Sequence, residues 1–209
     1  MSEDLEYSRR ELLRHIAISL SLGAAGERVL TARDAQHVHA AVAQEESAQN
    51  GPYQPKALTG HEYATLQRIA GLVLPADERS PGALAANAAA FLDFLCSASD
   101  EMKRIYTGGL EWLDDAMRHR GNGGDFLSAS PERQTAMLDL IAFRENQAEH
   151  ADLAAGIDFF AWARQMIVDA YYTSPIGIKE LGYMGNTAVA HFSVPQEAID
   201  YAVKRSPFA

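Results

Sequence analysis

Between Thr59 and Tyr172, apolar side chains return every three or four residues in one stretch after another, and proline or glycine breaks separate several of the stretches. That period lines one side of an α-helix. It cannot line one face of a strand, where side chains alternate at every second position. No run with period-2 alternation is long enough to read as a strand. The expectation is an all-α protein: a single compact bundle of about five helices with long irregular N- and C-terminal segments.

The boundaries carry their own chemistry. Thr59-Gly60-His61-Glu62 has the spacing of a capping box, opening a helix with Tyr63, Leu66, Ile69, Ala70 and Val73 on one face. Pro75 stops it. Ser80-Pro81 reads as an N-cap and a first-turn proline for an alanine-rich second helix, Ala83 through Ala90 and on to Phe91, Phe94 and Leu95. Ser99-Asp100 caps a third, carrying Met102, Ile105, Tyr106, Leu110, Leu113 and Met117 as far as the breaker Gly121-Asn122-Gly123-Gly124. Ser130-Pro131-Glu132 opens a fourth with Met137, Leu138 and Ile141, and a fifth runs from Ile157 to Tyr172. A short helix is expected after Pro195. Residues 27–58 read as a polar segment, helical in part, and then a linker at Asn50-Gly51-Pro52-Tyr53-Gln54-Pro55. The helical domain is therefore expected over 59–209.

Residues 1–26 have a different layout. The stretch YSRRELLRHIAISLSLGAAG from Tyr7 has a polar start, paired arginines, a weakly apolar centre and small residues at its end. An amphipathic helix is one reading, since Leu13, Ile16 and Leu20 share a face. Such a helix needs a polar stripe opposite, and from Ile16 to Ala25 the only polar side chains are Ser19 and Ser21. The order fits a targeting peptide better. Ser8-Arg9-Arg10-Glu11-Leu12-Leu13-Arg14 resembles the twin-arginine consensus, with Ser8, Arg9, Arg10, Leu12 and Leu13 at its defining positions and Leu12 where Phe is usual. No clean A-x-A site closes the run.

Composition narrows the partners. A net charge of -10 at pH 7 argues against nucleic acid and anionic lipid, and keeps the chain in solution. No apolar segment approaches the roughly 20 residues of a membrane-spanning helix. A single cysteine, Cys96, excludes an internal disulfide and any thiolate cluster built by this chain alone. Its apolar setting, Phe91 to Leu95, makes burial the default, with a disulfide to another subunit as the alternative.

Catalytic patterns are scarce. There is no phosphate-cradling loop and no glycine fingerprint after a strand, so no flavin or nicotinamide site is expected in this chain. His37-x-His39 has no third ligand nearby, and exposure is the expectation. His119 and His150 read as cations at the ends of the third and fourth helices. Asp114-Asp115 and Glu145/Glu149 read as surface charge and not as an acid–base pair. His191 has no partner identifiable from sequence. No catalytic and no metal-binding residue is assigned.

Two segments carry a family likeness. Ala70-Gly71-Leu72-Val73-Leu74-Pro75-Ala76-Asp77-Glu78-Arg79-Ser80-Pro81-Gly82-Ala83 resembles one signature of the gluconate 2-dehydrogenase subunit 3 family. Thr173-Ser174-Pro175-Ile176-Gly177 with Leu181-Gly182-Tyr183-Met184-Gly185-Asn186 resembles its C-terminal one. The resemblance covers roughly Thr59 to Pro195, and a twin-arginine leader is usual in that family. It implies a non-catalytic small subunit of a periplasmic dehydrogenase for sugars or polyols. The large subunit would hold FAD, and a cytochrome c subunit would pass electrons on and anchor the complex at the inner membrane. The leader would then serve the whole assembly through the twin-arginine translocase. Gly182, Tyr183, Gly185 and Asn186 would lie in a tail that packs against the large subunit, or else folds over the chain's own helices. The alternative from another class is a stand-alone periplasmic enzyme or binding protein of helical fold.

Overall fold

A computed structural model describes residues 32–120, 124–148, 150–182 and 193–206. Every regular element among them is helical: α1 Ala32–Gln49, α2 Gly60–Val73, α3 Gly82–Ala85, α4 Ala88–Ala98, α5 Asp100–Arg120, α6 Pro131–Ala142, α7 Ala154–Tyr172, α8 Pro175–Glu180 and α9 Gln196–Arg205. Two 3₁₀ turns, Arg144–Ala148 and Ala151–Leu153, join α6 to α7. The all-α expectation holds. The capping box at Thr59 is present with both of its bonds, Glu62 N–H to the Thr59 hydroxyl and Thr59 N–H to the Glu62 carboxylate.

α4 is the axis of the bundle. Every residue from Ala88 to Cys96 is buried, the pattern of a helix covered on all sides. α1, α2, α5 and α7 pack around it. α5 and α7 also pack on each other through a reciprocal exchange. The ring of Phe159 on α7 lies over Gly109 of α5, and the ring of Trp112 on α5 lies over Gly156 of α7. A Cβ would fall 2.0 Å from the Phe159 ring at Gly109, and 2.1 Å from the Trp112 ring at Gly156. Only hydrogen fits at either place.

The second helix read from the sequence is two helices. Asn87 adopts φ 53° between α3 and α4, a left-handed conformation that asparagine tolerates better than most residues. A run of alanines has high helix propensity and gives no hint of this break. The fourth helix ends at Ala142, so His150 is not at its terminus; it precedes the second 3₁₀ turn.

The segment N-terminal to Thr59 contributes to the packing. α1 buries Ala35, Val38 and Val42 against the bundle, and Tyr53 and Leu58 beyond it are also buried. Each valine adds about 1.5–3 kcal/mol of apolar burial. Asp93 on α4, fully buried, holds the connection in place. Its carboxylate accepts from the Tyr53 hydroxyl (2.9 Å) and from the backbone N–H groups of Lys56 (2.7 Å), Ala57 (3.1 Å) and Leu58 (2.8 Å). A buried carboxylate is tolerated only when its oxygens are satisfied in this way.

Candidate functional site

The two signature segments meet in space. In the first, the Asp77 carboxylate accepts from Arg79 N–H and Ser80 N–H, both at 2.7 Å, closing the turn after Pro75. The Arg79 bond first, and the Ser80 bond with it, hold its carboxyl below the usual carboxylate range. Gly82 has φ 75°, and a Cβ there would lie 2.6 Å from the Ala76 nitrogen, so glycine alone fits. Its N–H donates to the Ser80 hydroxyl at 3.2 Å.

In the second segment, Ser174 caps α8: its hydroxyl accepts from Gly177 N–H (3.1 Å) and donates to the Tyr171 carbonyl (2.6 Å). Tyr171 joins the two. Its phenol donates to the Glu180 carboxylate, so the Ser80 hydroxyl, 2.8 Å away, donates to the phenol oxygen. Both segments therefore end in a single chain of hydroxyls and a carboxylate. Gly182 completes α8 with φ 63°, the left-handed residue that closes a helix, and its N–H reaches the Lys179 carbonyl at 3.1 Å.

Beside this junction runs an open groove of about 510 Å³ between α1, the α3–α4 break and Thr173–Ile178. His39 on α1 forms part of its wall. The Thr173 hydroxyl donates to the Asp169 carbonyl (2.6 Å) and so accepts from the His39 ring (3.1 Å). The imidazole also lies against Phe91, centroids 4.6 Å apart. Burial pushes its pKa from 6.5 down to about 4, opposed by a hydrogen bond at the Ala170 backbone. The expected exposure of the His37-x-His39 pair is corrected: both side chains are partly buried. Leu84, Tyr172 and Leu181, which adjoin the groove segments in sequence, are exposed large apolar residues.

A second polar constellation lies at α5. Asp114 is buried, with one oxygen 2.6 Å from the His61 ring and the other accepting from Phe126 N–H at 2.9 Å. Phe126 in turn accepts from the Gln134 amide (2.8 Å), whose oxygen receives Arg68 Nε (2.6 Å). The reading of Asp114 as surface charge is thus corrected, while Asp115 and Glu145 are exposed. The signal was available: Asp114 sits four residues from Leu110 and three from Met117, on the buried stripe. Such a pair orients an imidazole, and here the chain of bonds braces α2, α5 and α6. Asp93 was also overlooked, although a lone carboxylate in an otherwise apolar helix signals a buried, partnered group.

Cys96 lies in the core, 2 % exposed, a free thiol. Burial, and next the Asp93 charge, push its pKa upward. A bridge to another chain would require α4 to move. Among the described residues no three metal-capable side chains cluster, and no helix is long and apolar enough to cross a membrane. Ser8, Arg9, Arg10, Leu12 and Leu13 lie outside the described residues, as do Tyr183, Gly185, Asn186, Glu149 and His191. Gly182 alone of the expected interface residues is described, and it is exposed.

These features define an all-helical scaffold whose signature residues build turns and a junction beside an apolar groove. The chain belongs to the gluconate 2-dehydrogenase subunit 3 family, whose model matches residues 60–191. That places it among the subunits of a multi-subunit dehydrogenase. No curated protein and no solved structure gave a significant match.

Proposed function

We propose that the chain is the non-catalytic small subunit of a periplasmic, flavin-dependent dehydrogenase for sugars or polyols, and that its leader exports the folded catalytic subunit. The family match over residues 60–191 carries this reading. The fate of the signature side chains supports it: Asp77, Ser80 and Ser174, with Tyr171 and Glu180 flanking blocks of the second signature, are engaged with one another and with backbone, as parts of a scaffold. In this reading FAD and the sugar pocket belong to the catalytic partner, and a cytochrome c subunit takes the electrons and holds the complex at the inner membrane. The twin-arginine route accepts folded cargo, so a flavoprotein loaded in the cytoplasm can cross on a companion's address. Ser8-Arg9-Arg10 with Leu12 and Leu13 would be that address. Tyr183 and Asn186, directly after Gly182, would anchor the tail on the partner.

Replacing Arg9 and Arg10 by Lys in cells that express both subunits tests the shared leader. Fractionation is expected to find the catalytic subunit held in the cytoplasm. Its continued arrival in the periplasm would refute the idea. The purified chain is expected to show no flavin absorbance and no sugar oxidation, whereas the co-purified complex shows both.

A further inference from the structure

We infer that the groove beside α1 is the seat of the chain's own C-terminal helix, α9. The groove offers mostly alkyl surface. Apart from Gln36, exposed at the start of its α1 wall, its polar side chains face one another: the His39 ring meets Thr173, the Ser174 hydroxyl meets Tyr171 and Gly177, and the Asn87 amide meets the Glu46 carboxylate at 3.1 Å. What remains for an occupant is Ala40, Ala43, Ala85 and Ala86, with Ile176 and Ile178 opposite. Small side chains on the floor of a groove let a second helix approach closely.

α9 has the complementary defect. It is amphipathic, with Ala198, Ile199, Ala202 and Val203 on one stripe and Gln196, Glu197, Asp200 and Lys204 opposite, yet none of its residues is buried. Ile199 is 41 % and Val203 54 % exposed. A helix of 10 residues is too short to persist in water without a surface to lean on. None of its residues lines the groove in this structure.

Length, tether and charge agree. From Gln36 to Glu46 the groove follows α1 for roughly 15 Å, the length of α9 at about 1.5 Å per residue. α8 ends at Glu180, close to the groove that Ile178 lines, and the 13 positions from 183 to 195 set an upper bound of about 45 Å on the distance from there to α9. α9 ends in Lys204 and Arg205, with Arg205 on the edge of the apolar stripe and its guanidinium 3.8 Å from the Tyr201 ring centre. Glu46, whose carboxylate accepts from the Asn87 amide, a neutral donor, stands at one end of the groove. Pairing these ends runs α9 parallel to α1 and brings Ala202 over Ala43. α9 is then a strap that covers the groove in the uncomplexed subunit.

The test uses the full 209-residue chain with cysteine pairs and a short bis-maleimide. Native Cys96 is buried and stays silent. Ala43→Cys with Ala202→Cys is expected to give a monomeric cross-linked species, several-fold more than Ala43→Cys with Glu197→Cys on the opposite face. Adding Val203→Asp is expected to abolish the preference. Equal linking from both faces would overturn the proposal, since it reports only tethered collision. Covalent dimers would overturn it in favour of a second copy as occupant. Hydrogen exchange gives an independent reading. Protection of 196–205 that Val203→Asp removes supports docking, and an unprotected helix refutes it.

Discussion

Asp93 is the residue on which the N-terminal third depends. One buried carboxylate satisfies three consecutive backbone donors and a phenol. Asp93→Ala leaves these donors without their acceptor, and a loss of about 3 kcal/mol in urea unfolding is the expected outcome. Cys96, in the same helix, is expected to resist maleimide in the native chain and react once urea unfolds it, a result read by mass. His39 adds a pH dependence. Its folded pKa is about 4 against 6.5 for the unfolded chain, so between those values the unfolded chain takes up the proton and the folded one does not. Stability is therefore held above pH 6.5 and lost as pH falls toward 4. Asp169, whose carboxyl burial raises, works the other way in acid. The contribution of His39 is best isolated by comparing melting temperatures with His39→Gln from pH 7 to 4. The variant is expected to lose less over that range.

At the scale of elements, the α5–α7 contact rests on two glycines and two rings exchanged between helices. Gly156→Ala or Gly109→Ala forces an aromatic ring out of its place, and about 2 kcal/mol of destabilisation is expected from the overpacking, seen as a lower melting temperature. Helix existence was legible because the repeats of Leu66/Ile69, Leu110/Leu113/Met117 and Met137/Ile141 coincide with cap residues. The break at Asn87 was not, because alanine is neutral to what surrounds it. Asp114 reads as surface charge, and Asp93 goes unread, for another reason. Charge suggests water, yet Asp114 and Asp93 are placed by helical register, and register outranks polarity where donors are at hand.

For the whole molecule, α1 is part of the fold and not a leader to it. Its sequence looked like solvated filler because polar and charged residues hold ten of its 18 positions, and of its described side chains only Ala35, Val38 and Val42 are buried. A chain begun at Thr59 is expected to lose cooperative unfolding and bind a hydrophobic dye, while one begun before Ala32 unfolds in a single transition. The two signature segments were legible as motifs, but their meeting was not, since no local pattern announces a contact between residues far apart in the chain.

Ser80 and Tyr171 are 91 positions apart, and Tyr171 in turn needs Glu180. The turn at Asp77 therefore gains its last anchor only once Tyr171 and Glu180 have left the ribosome. Maturation of this fold is a late event, complete only when residues 91 positions apart have both been made and can meet.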